Sequence, residues 1–485
     1  MKAFCAEKCL AGEDPCSWLN LLKQGKFREA WLEIMEFNPL PAVIGRVCPY
    51  PCEDACKRVL LDEAISINKL EGYLGELAIV NGWRPAVSGD KVKSRSVAVV
   101  GSGPAGLSCA YQLARRRYRV DIFEALPVLG GMLRVGIPDF RLPKDILDKE
   151  IDNILYLGVG IHKNIIVDSK LLEHLKDSYG AVFFAIGLQK SRKLNIKGEK
   201  NHGVLYGLDF LKDINLGKRT SLGRKGKKVI IIGGGNTAID AARAAQRLGS
   251  EVSIFYRRSK AEMPALKTEI LQAMAEGIKI QELVLPIQIL KKTVELQRVK
   301  LGETDETGRR KPMALEGTNF QEGFDNLIIA VGEEMDSSLG LKSETRGTVA
   351  EAIKLGREAA EKIIQTLEPK PGKSRLVLPR DPDFYLTPKK RIEISSSTLA
   401  RKEAQRCLGC GFEVEGLAEV LINEVRCKGC GLCVDVCPYR VLELSDSFNS
   451  QGYRPACAKN SKKCRGCTWC NLICPDAAIE VKREV

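Results

Sequence analysis

Eight cysteines near the C-terminal end are spaced for one kind of chemistry. Cys427, Cys430 and Cys433 are followed three residues on by Cys437 and a proline, and the same C-x2-C-x2-C-x3-C-P run returns at Cys464, Cys467, Cys470 and Cys474. Three thiolates so closely set can take three corners of one cubane, while the fourth reaches across to the neighbouring centre. The spacing therefore assigns Cys427, Cys430, Cys433 and Cys474 to one [4Fe–4S] cluster and Cys464, Cys467, Cys470 and Cys437 to a second. Zinc also favours clustered thiolates, but this run of four before proline is not a zinc spacing.

A second group of cysteines lies at the other end. Cys48, Cys52 and Cys56 follow one another at x3 intervals on a Pro-rich loop, preceded by Cys5, Cys9 and Cys16. Loops can turn several thiolates toward one centre, so a further cluster is expected, the alternative being buried, unligated thiols. The eighteen cysteines crowd into Cys5–Cys56 and Cys407–Cys474, with only Cys109 between. In a chain of 485 residues with a nucleotide-binding core this points to metal ligation in a reducing compartment rather than to a disulfide framework, and the reading is cytoplasmic. No run of eighteen apolar residues and no charged-then-apolar leader is seen, so neither membrane insertion nor targeting is expected. The formal charge of +14 is offset in part by anionic clusters and a pyrophosphate. Without Arg-Gly repeats or an aromatic-studded basic stripe it does not argue for nucleic acid.

Between the cysteine groups two stretches read as dinucleotide sites. The apolar strand Val97–Val100 runs into Gly101-Ser-Gly103-Pro104-Ala105-Gly106, then a helix, then a strand ending in Glu124. Gly101 permits the turn, Gly103 admits a pyrophosphate to the positive helix end, Gly106 lets the helix pack on the strand, and Glu124 is placed for an adenosine ribose. The second stretch runs from Val229 through Gly233-Gly234-Gly235-Asn236-Thr237 to a strand ending at Tyr256-Arg257-Arg258. No acid ends that strand. Two arginines there suit a 2′-phosphate and favour NADP(H) over NAD(H), unless they are simply solvated. Secondary structure is expected to be helical over Trp18–Phe37, stopping at Asn38-Pro39, and again around Ile65–Asn81.

Two resemblances add to this reading. The run NPLPAVIGRVCPYPCEDACKR with INKLEGY resembles the N-terminal iron–sulfur domain shared by the small subunit of bacterial glutamate synthase and dihydropyrimidine dehydrogenase. That resemblance implies one [4Fe–4S] cluster on Cys9, Cys48, Cys52 and Glu71, and a second to which Cys5 and Cys56 belong. The family's leading C-x2-C is absent before Cys5, and Cys16 matches nothing in the pattern. Glu403-Ala-Gln-Arg-Cys407-Leu-Gly-Cys410 resembles the missing piece, which implies that Cys407 and Cys410 complete the second cluster, or else are a redox-idle pair. The same family has the run Gly130-Gly131-Met132-Leu-Arg-Val-Gly-Ile-Pro-Asp-Phe-Arg141, and it implies flavin contacts there and at Val167 and Thr348, although an ordinary surface role for Arg141 stays open. Val331 and Gly332 are implied near the nicotinamide. The family's strand ending in Gly-Asp is expected to be missing, since Ser338–Ser343 leads almost directly to Arg346-Gly-Thr348. The tail, INEVRCKGCGLCVDVCPYRVLEL onward, resembles the ferredoxin-type small subunit of 2-oxoacid:ferredoxin oxidoreductases, those for 2-oxoglutarate above all.

The expected architecture is α/β, with two interleaved Rossmann-like dinucleotide-binding domains between a helical iron–sulfur domain and a bacterial-type two-cluster ferredoxin domain. The expected boundaries are 1–92 for the helical domain, 93–228 with 333–367 for FAD, 229–332 for NADP(H), 368–419 for an extended linker and 420–485 for the ferredoxin. Function follows as an electron-transfer oxidoreductase passing electrons between NADP(H), FAD and [4Fe–4S] clusters in a hetero-oligomer, and coupling a 2-oxoacid (2-oxoglutarate):ferredoxin oxidoreductase, or a ferredoxin-like acceptor, to NADP⁺. The alternatives are a glutamate synthase small subunit and a non-catalytic electron wire whose flavin site has decayed.

Overall fold

The computed structural model describes residues 3–60, 62–88, 93–218, 226–304, 308–335, 347–368, 390–407, 409, 418–437 and 439–483. The chain divides into two compact units, Ser88–Ile363 and a second made of Met1–Val87 with Ile364–Val485. The helical N-terminal domain, the segment after the linker and the ferredoxin tail thus form one unit, which the sequence order did not suggest.

In that composite unit, helices Pro15–Lys23 and Phe27–Met35 replace the single helix expected over Trp18–Phe37. Gly25, at φ +77, takes the left-handed conformation that ends the first helix, a position glycine occupies without a Cβ penalty. The expected stop holds, with Asn38 N bonded to the Ile34 carbonyl. The helix expected near Ile65–Asn81 spans Ile67–Val80. It packs on Pro41–Val47 through Gly45 and Gly72, where a Cβ on Gly45 would stand 2.3 Å from Gly72 Cα. Only a backbone-to-backbone approach of this kind sets Cys48, at the end of one helix, beside Glu71 on the other.

The helix Ser397–Ala404 joins the same core through buried charges. Glu403, fully buried, accepts from Arg406 Nη1 at 2.6 Å, Ser66 N at 3.0 Å and Ile392 N at 2.9 Å. Arg406 Nη2 reaches Asp62 at 3.0 Å, and Asp62 is also gripped by Arg58 through bonds of 2.8 and 2.7 Å. These residues lie more than three hundred positions apart in sequence.

The other unit carries two parallel sheets. The first has the order Gly160–Lys163, Arg119–Glu124, Ser96–Val100, Ala181–Phe184, the second Val204–Tyr206, Asn326–Ile329, Lys228–Ile232, Glu251–Tyr256, Lys279–Glu282. The expected pair of Rossmann-like parallel sheets is therefore present, each built from near-continuous apolar runs such as VAVV and VIII that suit burial on both faces. Val204–Tyr206 lies in the second sheet, upstream of the expected boundary at 229, because a three-residue strand without turn punctuation leaves little mark on a sequence. An antiparallel meander, Val284–Ile289, Thr293–Thr304 and Arg310–Gly323, was not foreseen. Its strands alternate, with Val294 and Leu296 buried and the intervening residues more open. Among the described residues no helix is long and apolar enough to cross a membrane.

Candidate functional site: two nucleotide cradles and the cysteine constellations

The first cradle is built where Ser96–Val100 meets the helix Pro104–Ala114, with Pro104 at the first helical position and Gly103 as its cap. Gly101 sits at φ +102, and a Cβ there would stand 2.6 Å from the Ala185 carbonyl oxygen. One on Gly106 would strike the Gly101 oxygen at 1.9 Å, and one on Gly131 would lie 2.7 Å from Gly103 Cα. A Cβ on Gly103 would meet nothing within 4 Å. Three glycines are thus forced by packing and the fourth borders open space at a helix N-terminus, the arrangement a pyrophosphate requires. Glu124, at the end of the next strand and 6% exposed, accepts from Ser102 N at 2.9 Å and Ser102 Oγ at 2.5 Å. Ala105 is buried on the helix, Met132 opens the short helix Met132–Val135, and Val167 packs with Val100 and Phe123 in the core under the sheet.

Thr348 and Arg141 are engaged with the protein itself. Thr348 caps the helix Val349–Leu367: its Oγ1 accepts from Glu351 N at 3.3 Å, while Glu351 Oε2 accepts Thr348 N at 2.6 Å, a T-x-x-E capping box. That helix is fixed against the cradle, with the Ser108 hydroxyl donating to Ile353 O at 2.7 Å. Arg141 is not a surface arginine: Nη1 donates to Asp240 Oδ2 at 2.7 Å with both side chains buried, and Glu269 lies 3.5 Å from Nε. Burial pushes the Asp240 carboxyl up to about 6, Arg141 pulling the other way. Arg141 thereby joins the flavin-side segment to the helix of the second cradle. Phe140 does the same from beneath Arg247, whose guanidinium is 3.9 Å from the ring centroid.

The second cradle repeats the first. Gly233 is at φ +146 with its Cβ position 2.1 Å from the Ala330 oxygen; Gly234 would strike the Tyr256 ring; Gly235, capping the helix Asn236–Arg247, borders open space. Asn236 Oδ1 accepts Leu266 N at 3.0 Å, and Thr237 Oγ1 donates to Glu333 Oε1 at 2.6 Å. Val331 is 36% exposed at the strand end and Gly332 adopts φ +121. Of the two arginines, Arg257 is exposed, whereas Arg258 is buried with Nε donating to Arg310 O at 2.7 Å. Only Arg257 is placed at the surface for a phosphate.

The N-terminal cysteines fall into two neighbourhoods. Cys9, Cys48 and Cys52 gather around Glu71, which takes a 2.7 Å bond from Asn38 Nδ2. Burial and then Glu71 push the Cys48 thiol up to about 12, and burial with Cys9, Cys48 and Glu71 pushes Cys52 up as well. Three thiols and a carboxylate massed in a dry site ask for a cationic centre, which reverses these shifts on binding. Cys5, Cys56 and Cys407 form the other neighbourhood, with burial and the nearby Cys407 and Cys5 among the causes that push Cys56 up to about 11. Cys407 is delivered by the Glu403–Arg406 network, and its carbonyl accepts Lys23 Nζ at 2.7 Å. Cys410 lies outside the described residues, as does the segment 336–346 where a Gly-Asp strand was expected to be missing. Cys16, which no sequence pattern accommodated, belongs here: its Sγ is 3.6 Å from Cys5 Sγ and it bonds to Cys407. That contact raises the Cys16 thiol and lowers the Cys407 thiol.

In the tail the thiols beside Cys433 are Cys427, Cys430 and Cys474, and those beside Cys470 are Cys467, Cys437 and Cys464, the crossed grouping that the spacing implied. The halves repeat one another. Cys437 Sγ accepts Val441 N and Cys474 Sγ accepts Ala478 N, both at 3.3 Å, and the helices Leu432–Val436 and Trp469–Ile473 start from left-handed Gly431 and Thr468. Among the described residues no three His, Cys, Asp or Glu converge on a single ion. Ligands at the corners of a cubane stand farther apart than those of one tetrahedral ion.

These cradles and donor sets fit a dinucleotide-dependent flavoprotein carrying iron–sulfur clusters. The chain belongs to the pyridine nucleotide-disulphide oxidoreductase family, whose model matches residues 95–355. Residues 1–83 match the dihydropyrimidine dehydrogenase domain II, 4Fe-4S cluster, and residues 426–478 a 4Fe-4S dicluster domain. The glutamate synthase [NADPH] small chain of Escherichia coli is 31% identical over 76% of this chain and 82% of its own length. The NADP(+)-dependent formate dehydrogenase subunit beta of Moorella thermoacetica is 40% identical over 72% of this chain and 54% of its own, and the NADPH-Fe(3+) oxidoreductase subunit beta of Geobacter sulfurreducens 39% over 69% and 52%. The chain thus spans about half the length of these last two relatives. The matched domains are of the kinds that carry FAD, NADP(H) and [4Fe–4S] clusters.

Proposed function

We propose that this chain is the electron-transfer subunit of a cytoplasmic hetero-oligomer and couples a 2-oxoacid:ferredoxin oxidoreductase, that for 2-oxoglutarate first, to the reduction of NADP⁺. The observation that carries the reading is the two-cluster tail folded into one compact unit with the N-terminal cysteine sets. A subunit that only received hydride from NADPH and delivered it to a bound partner would not need a further pair of clusters. When bound, FAD exchanges hydride with the nicotinamide and single electrons with clusters.

The residues divide the work. Gly101, Gly103, Gly106 and Gly131 seat the FAD pyrophosphate and Glu124 the ribose; Gly233–Gly235 and Arg257 seat NADP(H), with Val331 and Gly332 lining the nicotinamide approach. Cys9, Cys48, Cys52 and Glu71 hold one N-terminal cluster, while Cys5, Cys56 and Cys407, with Cys410, hold the other. The tail holds two more. Hydride transfer between stacked rings needs positioning rather than an acid or base, so the protein's task is to hold the two cradles in register. The buried Arg141–Asp240 pair, together with Phe140 under Arg247, does this.

The exposed apolar residues of the tail, among them Leu432, Phe448 and Tyr453, support a protein partner there. Reconstitution tests the reading. Mixed anaerobically with a 2-oxoglutarate:ferredoxin oxidoreductase, 2-oxoglutarate, coenzyme A and NADP⁺, the chain should form NADPH, and no NADPH would defeat it. A second reading, a formate-oxidising partner, is favoured by the 40% identity to the Moorella subunit, and NADPH formation with a formate dehydrogenase alone would select it.

A further inference from the structure

Phe4 and Trp469 stack at 4.9 Å between ring centroids with an interplanar angle of 27°. Each ring sits one peptide bond from a cysteine assigned to a cluster, Phe4 beside Cys5 and Trp469 beside Cys470. On the N-terminal side Lys57 Nζ stands 4.2 Å from the Phe4 centroid, and Lys57 itself follows Cys56. Trp469 follows Thr468, a β-branched residue at φ +62, where the equivalent point of the other half has Gly431 at φ +76. Left-handed backbone at such a residue persists only where its surroundings enforce it.

The pseudo-repeat within the tail gives the stack a direction. Trp469 in one half corresponds to Leu432 in the other, and Leu432 is 43% exposed. Cys464, Cys467 and Cys470 are all buried, whereas Cys430, in the set with Cys427, Cys433 and Cys474, is exposed. The set beside Trp469, the inner one, thus has no exposed ligand, whereas the other, the outer one, has Cys430 exposed although its Cys427 and Cys433 are buried.

We propose that the Phe4–Trp469 stack is the electron bridge between the N-terminal cluster on Cys5, Cys56 and Cys407 and the inner ferredoxin cluster on Cys464, Cys467, Cys470 and Cys437, with the outer ferredoxin cluster serving the external partner. This rests on the ligand assignments under the proposed function. Each crossing moves one electron, leaving one cluster oxidised by one and the other reduced by one, with no bond made or broken. Two crossings and one proton convert NADP⁺ to NADPH at the far end.

The test uses the full chain with its clusters and FAD, reduced by dithionite, desalted anaerobically and mixed with NADP⁺. Freeze-quench EPR follows the ferredoxin clusters and the N-terminal clusters separately, and iron is counted in every sample. F4L and W469L keep apolar bulk and remove the aromatic contact. Both should drain the ferredoxin clusters roughly tenfold or more slowly, with N-terminal clusters and flavin draining at the wild-type rate and iron unchanged. W469F should restore the rate, and F4L/W469L should be no slower than either single variant, since one path cannot be cut twice. Wild-type drainage in either Leu variant at full iron overturns the bridge. Absence of ferredoxin-type signals from the wild-type chain would instead defeat the ligand assignment. Should one Leu variant lose iron, the other decides the matter.

Discussion

Glu403→Gln is the most informative single perturbation of the composite unit. Glu403 is fully buried and accepts three bonds, from Arg406 and from the backbone of Ser66 and Ile392. Arg406, 2% exposed, relies on it for charge compensation together with Asp62. Glutamine keeps the shape but withdraws the charge and turns an amide group toward a donor. Removing one partner of a buried pair costs about 3–5 kcal/mol. Domains are stable by about 5–15 kcal/mol, so the helix Ser397–Ala404 should be held only marginally. Cys407 follows Arg406 directly, so its thiol should leave the Cys5 neighbourhood. The assay is iron per chain with urea unfolding followed through cluster absorbance, compared as midpoints because a chain of several domains need not unfold in two states. The expected outcome is a lower midpoint and a loss of about four iron atoms, one cluster's worth. An unchanged midpoint with full iron would refute the idea that this buried network delivers Cys407.

Three further outcomes follow from the same geometry. Gly103→Val, whose side chain meets open space, should leave the fold intact and abolish FAD binding, whereas Gly106→Val, aimed at the Gly101 oxygen, should lower thermal stability itself; flavin content and melting temperature separate the two. Arg257→Ala should raise the KM for NADPH about tenfold to a hundredfold with kcat little changed, the loss of a charge-assisted contact of ~1.5–3 kcal/mol, while Arg258→Ala should act on stability, since its side chain supports the Arg310 carbonyl. Bonds from Arg247 and then Arg243 hold the Glu276 carboxyl down at about 2, against 4.5 ordinarily. A depressed acid stabilises the fold above its unfolded pKa and loses that contribution as pH falls through the folded one. Glu276→Gln should therefore release FAD at a lower temperature near neutrality, and the gap to wild type, read by flavin fluorescence, should shrink as pH drops from about 4.5 toward 2.

What the sequence disclosed is what local spacing encodes. The crossed cysteine sets of the tail, both glycine cradles and the N-terminal set around Glu71 could be read because each motif's geometry is carried by residues close in the chain or by a resemblance that supplies the distant one. Apart from Cys407, which a resemblance joined to Cys5 and Cys56, long-range partnerships were not legible. Nothing near Cys16 signals that it will meet Cys407, nor does Phe4 announce Trp469, since such contacts depend on how helices and the post-linker segment pack. Arg141 and Thr348 also have protein partners that their types did not announce, a buried carboxylate for the one and a glutamate three residues on for the other. Gly25 was passed over because the apolar period runs through it.

The most direct test is to count electrons. The reduced chain, freed of excess dithionite and mixed anaerobically with NADP⁺, should form one NADPH for every two electrons its clusters lose, and FAD-free protein should form none. Clusters that reoxidise without NADPH, or NADPH formation that persists without FAD, would contradict the path through the two cradles.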